Sequence, residues 1–277
     1  MTPVEKALWF IEGHFADSIE LDDIATAGGV SRFHLTRAFA AATGQSAVRY
    51  LRGRRLSEAA RQLASGAPDI LAVALDAGYG SHEAFTRAFR DLFGTTPEQV
   101  RAQGHLDNVP LVEPITMNEA LLPHIEPPRI VDGPAMLIAG LDARYSCDSS
   151  KAIPNQWQRF AQHDGSIPGQ RGKVAYGVCH AGDEDGNFNY LTGVEVDDAG
   201  RVPKDLATLQ LKRQRYAVFA HREHISTIRR TVHTIWSQWL PQSGHEAADA
   251  PNFERYGAEF DPRSGLGGFE IWIPLKA

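Results

Sequence analysis

Apolar positions along residues 1–104 recur three and four apart, the spacing that lines one face of a helix. Past about residue 129 the texture changes to short alternating runs, the signature of strands with one buried face. The helical part also repeats itself. Ala27, Gly28 and Ser31 return as Ala77, Gly78 and Ser81, and the tetrad Thr36-Arg37-Ala38-Phe39 returns as Thr86-Arg87-Ala88-Phe89. Gly44 then returns as Gly94, always at an offset of fifty residues. A fixed offset means one supersecondary unit used twice.

Each copy reads as a short apolar helix, a turn containing Gly, and a second helix opened by Ser31 or Ser81 and closed by Gly44 or Gly94. A serine hydroxyl accepts from an orphan amide of the first turn, and glycine takes a left-handed conformation at the end without a Cβ penalty. Two helices joined in this way form a helix-turn-helix. In the first copy Leu35, Ala38, Phe39 and Ala42 share an inward face, leaving Phe33, Thr36, Arg37 and Ala40 opposite. In the second, Phe85, Ala88, Phe89 and Leu92 pack inward, and His82, Glu83, Thr86, Arg87 and Arg90 point out. Residues at the N-terminal end of such a helix reach base edges in the major groove. The expected DNA-reading set is therefore Arg32, Phe33, Thr36, Arg37, His82, Glu83, Thr86, Arg87 and Arg90. Between the modules Ser46–Ala64 reads as one amphipathic helix. It spans roughly 28 Å, close to the spacing of about 34 Å between successive major grooves on one face of DNA. Thr96 and Pro97 open a closing helix.

Pro110, Pro114, Pro123, Pro127 and Pro128 mark a boundary, with a linker over 105–124 in which ITMNEALL could form a strand. The second domain, 125–277, reads as strand 129–145, helix 154–165, strands near 173–180 and 188–197, then strand 207–221, helix 226–244, and strands 252–260 and 268–275. The fold class is an all-α double helix-turn-helix domain followed by an α+β domain of two strand-helix-strand-strand halves.

The first hundred residues resemble the AraC/XylS family of regulators, through the double helix-turn-helix, the two TRAF segments, AGYGSHEAFTRAFRDLFG and the closing GTTPEQVR. The resemblance covers about residues 3–104 and places the family's base-contacting positions on Phe33, Thr36, Arg37, His82, Glu83 and Arg87. An acid at Glu83 repels phosphate but accepts from a cytosine amine, so the first module is expected to supply more of the affinity. The stretches WSQWLPQSG, APNFERYGAEF and GGFEIWIPLK are similar to the closing part of GyrI-like domains. That resemblance implies a pseudo-twofold domain binding a small molecule in a groove between its halves, with Glu270 as the central acid.

The local pattern is compatible with that role. Glu270 alternates with Trp272 on one face of FEIWIP, and a carboxylate among aromatic rings attracts a lipophilic cation. Tyr145, Trp157, Tyr176, Phe219 and Tyr256 are the expected surrounding aromatics.

Composition adds one asymmetry. The chain of 277 residues carries −6 overall, yet residues 30–61 hold seven arginines against one glutamate, while residues 1–29 are acidic. A local basic stretch is the electrostatic footprint of phosphate contact. Two cysteines imply free thiols rather than a disulfide framework, and no run reaches membrane-spanning length, so a cytoplasmic location is expected. His221 with His224, or Cys179 with His180, lacks further ligands at metal-binding spacing. No nucleophile elbow, phosphate loop or dinucleotide fingerprint occurs. Neither a cofactor nor a catalytic role is expected. The reading is a promoter-binding regulator that senses a hydrophobic or cationic compound, with double-stranded DNA, the effector and RNA polymerase as partners. A GyrI-like hydrolase or a drug-sequestering module tethered to DNA is the alternative.

Overall fold

The computed structural model describes residues 1–115, 123–146 and 149–276, and the chain divides into two compact units. One unit holds Pro3–Arg32 and the residues from Ser46 through Ile115; the other holds Phe33–Gln45 and the described residues from Pro123 onward. The strand considered for ITMNEALL falls, beyond its first residue, outside the described residues.

The first unit contains α1 (Pro3–His14), α2 (Leu21–Gly28), α4 (Ala47–Ala64), α5 (Ile70–Asp76), α6 (His82–Phe93) and α7 (Pro97–Gln103). Its caps follow the sequence closely. The hydroxyls of Ser46, Ser81 and Thr96 accept from the amides of Arg49, Ala84 and Gln99, and α6 ends on Gly94 at φ +70°. Phe85, Phe89 and Phe93 of α6 pack with Leu56, Leu63, Ile70, Val73 and Val100 in one core. Removing such side chains from water is the main stabilising contribution.

A charged knot ties this unit together. Arg54, almost fully buried, donates from Nε and Nη2 to the Glu12 carboxylate and from Nη1 to the carbonyl of Val112. Tyr50 donates to Glu12 at 2.5 Å, and its oxygen accepts from the amide of Ile115 at 3.1 Å. Val109 joins the core and the amide of Val112 donates to Ser57 Oγ, so the Pro-containing passage after α7 is docked on α4 as far as Ile115. Burial raises the Glu12 pKa, but hydrogen bonds from Arg54 and Tyr50 outweigh it and hold the carboxyl below its usual range.

The second unit contains the helix α3 (Arg32–Thr43) from Phe33 on, and a single eight-stranded antiparallel sheet. The long strand expected over 129–145 is interrupted at Pro134, giving β1 (Arg129–Gly133) and β2 (Met136–Tyr145). Likewise 207–221 divides into β5 (Ala207–Leu211) and β6 (Gln214–His221). The remaining strands are β3 (Gln170–His180), β4 (Phe188–Val196), β7 (Asn252–Tyr256) and β8 (Phe269–Leu275). Helix α8 (Ile153–Phe160) follows β2, and α9 (Ile228–Thr234) follows β6, continuing through a π turn at Ile235–Trp239 into α10 (Leu240–Gln242).

The strand order β1-β6-β8-β7-β3-β4-β2-β5 is symmetric about the β7–β3 pair. Each half is strand-helix-strand-strand, as expected, and each edge strand is lent by the other half. The two sheet faces differ. Tyr176, Val178, Tyr216, Phe253 and Trp272 cluster on one. The helices cover the other, where Phe160 and Trp157 pack near Ala139 and Val194 and Trp239 meets Phe219 with ring centres 4.9 Å apart.

Replacing Arg54 by Ala leaves Glu12 and the Val112 carbonyl without their main partner, and thermal or urea unfolding should show a loss of about 3 kcal/mol. In the parent chain, the Glu12 contribution is present above the ordinary carboxylate range and lost as pH falls through its lowered folded pKa. That acid-limb slope should be reduced in Arg54→Ala.

Candidate effector site and DNA-reading helices

Alternation along β7 puts Asn252, Glu254 and Tyr256 on the helix-bearing face, at the centre of the sheet. Gly177 of β3 pairs directly with Glu254 across the pseudo-twofold axis. Glu254 Oε2 accepts two hydroxyl hydrogen bonds, from Tyr190 at 2.6 Å and Tyr256 at 2.9 Å. Trp157 of α8 donates its indole N–H to the Tyr190 oxygen at 3.1 Å, and its ring meets that of Tyr256 edge-on at 5.0 Å. Gly177 makes this possible: a Cβ there would lie 1.9 Å from the Tyr190 hydroxyl and 2.6 Å from Glu254 Oε2.

Electrostatically the carboxylate is exceptional. Among the described residues no Lys, Arg or His pairs with Glu254, and its Oε1 receives no hydrogen bond. Burial pushes the Glu254 carboxyl up, against the lowering by the two tyrosines. Burial, reinforced by the Glu254 charge, also pushes both tyrosine hydroxyls well up. Glu254 nevertheless keeps accessible surface. Asn252 Oδ1, on the same face, is buried without a donor. The site thus presents acceptors and aromatic rings in low dielectric, the chemistry that holds a lipophilic cation.

The sequence-derived effector set divides between the two faces. Trp157 and Tyr256 belong to the Glu254 cluster. Tyr145 is one step removed: its hydroxyl donates to Gln156 Oε1 at 2.7 Å, and Gln156 in turn donates to the Tyr190 carbonyl and Thr192. Phe219 is buried beneath Trp239 in the second half. Tyr176, Trp272 and Glu270 lie on the opposite face. There Glu270 is paired with Arg129 and Arg255 and accepts from the Trp272 indole at 3.0 Å, so its charge is already met. Glu254 was not selected from the sequence, although the Glu-x-Tyr alternation in NFERY is the same signal that singled out Glu270 and Trp272.

The two helices expected to read DNA also differ. On α6, Glu83, Arg87 and Arg90 are exposed, His82 is half-buried with Nε2 2.9 Å from Glu98, and Thr86 turns a buried Oγ1 inward without a partner. First-turn backbone and Ser81 hydrogen bonds hold the Glu83 carboxyl below its usual range. On α3, Leu35, Ala38 and Phe39 are fully buried. Arg32 is exposed and paired with Asp22 at 3.1 Å, whereas Phe33, Thr36 and Arg37 are half-buried.

Residues 126–276 match the family model of the GyrI-like small molecule binding domain. The chain belongs to the GyrI-like family. Ahead of this GyrI-like domain, residues 24–103 match a helix-turn-helix domain, here of AraC type. Transcriptional regulator Rob of Salmonella typhimurium is 25% identical over 274 residues, covering 95% of this chain and 92% of that protein. The right origin-binding protein of Escherichia coli K12 is 25% identical over 289 residues, covering 99% and 98%. Transcriptional regulator BrlR of Pseudomonas aeruginosa is 31% identical over 152 residues, 53% of this chain and 54% of that one.

A methyl group at position 177 has no room beside the Tyr190 hydroxyl. Gly177→Ala should therefore cost about 1–3 kcal/mol of stability by overpacking. Near-ultraviolet circular dichroism should show the Tyr190–Trp157 environment altered, while far-ultraviolet signal persists.

Proposed function

We propose that this chain is a DNA-binding transcription regulator whose GyrI-like domain holds a lipophilic cation against Glu254. The observation that carries the effector assignment is the enclosed carboxylate that no described cation neutralises. Tyr190, Tyr256 and Trp157 hold it in place, and a ligand charge would supply the missing partner. Tyr145 supports the site through Gln156. Glu270, Trp272, Tyr176 and Phe219 act as structural residues around it.

DNA recognition uses α3 and α6 at their N-terminal ends, with Arg32, Phe33, Thr36 and Arg37 on the first and His82, Glu83, Thr86, Arg87 and Arg90 on the second. Arg87 is suited to bidentate pairing with guanine, and Glu83 to accepting from cytosine. The regulator roles named for Rob and BrlR favour this reading. RNA polymerase at the bound promoter is the partner through which the chain acts, and the cytoplasm is where it works.

Titration with crystal violet, a lipophilic cation, tests the effector site. Glu254→Gln should weaken binding at least about tenfold, some 1.4 kcal/mol, while Glu270→Gln changes it little. Cation binding favours the ionised carboxyl, so affinity should rise with pH through the raised Glu254 pKa and protons should be released on binding. Equal affinity in parent and Glu254→Gln would place the site elsewhere. On an operator selected from random sequence, Arg87→Ala should cost about 1–3 kcal/mol and relax the preference at one base pair; unaltered affinity and preference would remove α6 from base reading.

A further inference from the structure

Helix α3 is bound into the second unit by a contact whose parts are specific. The π turn at Ile235–Trp239 sends the amide of Leu240 to the carbonyl of Ile235, five residues back. The next amide in that register belongs to Pro241, which has no N–H. The carbonyl of Trp236 therefore loses both its α-type and its π-type partner. His34 of α3 supplies the replacement, Nε2 donating to that carbonyl at 2.7 Å in a buried setting. A buried carbonyl without a donor is costly, so this bond is a strong constraint on where α3 rests.

The flanking residues of α3 extend the contact. The Phe33 ring meets Trp236 edge-on at 6.0 Å, and the Arg37 guanidinium lies 5.5 Å from the Phe33 ring centre. Burial pushes the Cys179 thiol up, and Arg37 is near enough to pull against that rise. Cys179 feels the charge of Glu254. Arg37 Nη2 also lies 3.6 Å from where a side chain at Gly182 would begin. A cation from the expected base-reading face is thereby placed beside Cys179, which borders the Glu254 cluster, while Phe33 of the same face rests on Trp236. The equivalent arginine of α6, Arg87, is exposed.

We propose that α3 is an internal latch: the Phe33–His34–Arg37 face is sequestered on Trp236 and Cys179, and DNA reading by the first module requires its release. This rests on the assignment of α3 to base reading and of the effector to Glu254. A lipophilic cation entering beside Cys179 competes with Arg37, so effector and DNA binding reinforce one another.

The test uses the full chain with Cys147→Ser, leaving Cys179 as the single thiol. Ellman's reagent reports exposure of Cys179, and a fluorescent 30-base-pair duplex of random sequence reports DNA binding. His34→Ala should speed labelling at least fivefold and tighten duplex binding at least threefold. His34→Gln, which keeps a donor for the Trp236 carbonyl, should stay near the parent and separates latch release from misfolding. Saturating duplex should speed labelling of the parent. The proposal is overturned if duplex leaves labelling unchanged, or if His34→Ala exposes Cys179 without tightening DNA, since the contact is then passive packing. A chain that behaves as a latch but fails to bind crystal violet loses the effector site and keeps the latch.

Discussion

A buried carboxylate that no cation among the described residues neutralises is the constraint around which the second unit is built. Removing an ionised carboxyl from water is expensive, and two tyrosine hydroxyls offset only part of that cost. Holding both on one oxygen of Glu254 requires Gly177 directly across the strand pair, with Trp157 above Tyr190. The position on the pseudo-twofold axis follows from the strand order. Both halves contribute, Tyr190 and Trp157 from the first and Glu254 and Tyr256 from the second. Among the described residues the negative charge itself stays unmet, which is the property that suits the site to the proposed cation.

The same sequence pattern has two outcomes in the helical modules. Inward positions of α3 and α6 were legible from spacing alone, because Leu35, Ala38 and Phe39, like Phe85 and Phe89, recur at helical period. The caps at Ser81 and Thr96 were equally legible, being local chemistry, whereas Ser46, read as the first helical residue, proves to be a cap as well. The outward face of α3 was not, since its burial depends on Trp236 some two hundred residues away. The expectation that the first module dominates affinity was drawn from charge and composition, which carry no information about occlusion.

A similar limit explains Glu270. Alternation marks both Glu254-x-Tyr256 and Glu270-x-Trp272 as acid-and-aromatic faces, and nothing local separates them. The distinction lies in register and pairing: Arg255 is opposite Glu270 across β7–β8, and Arg129 reaches it from β1. Neither strand break was read from the sequence: Pro134 marks the first, but nothing local marks the one after Leu211, and only the sheet order shows that both send consecutive strands to opposite halves. The π turn likewise needed structure, although Pro241, which leaves the Trp236 carbonyl open, stands in plain view in WLPQSG.

The exchange of edge strands has a consequence for how the second unit forms and persists. β1 precedes the first half yet completes the second through β6, and β5 precedes the second half yet completes the first through β2. Neither half closes its own sheet, so neither could be removed without exposing a raw strand edge on the other. The two halves are obliged to assemble as one cooperative transition dominated by contacts distant in sequence, which is slow to nucleate and hard to fray piecemeal. Strain introduced at one half is consequently felt at the other.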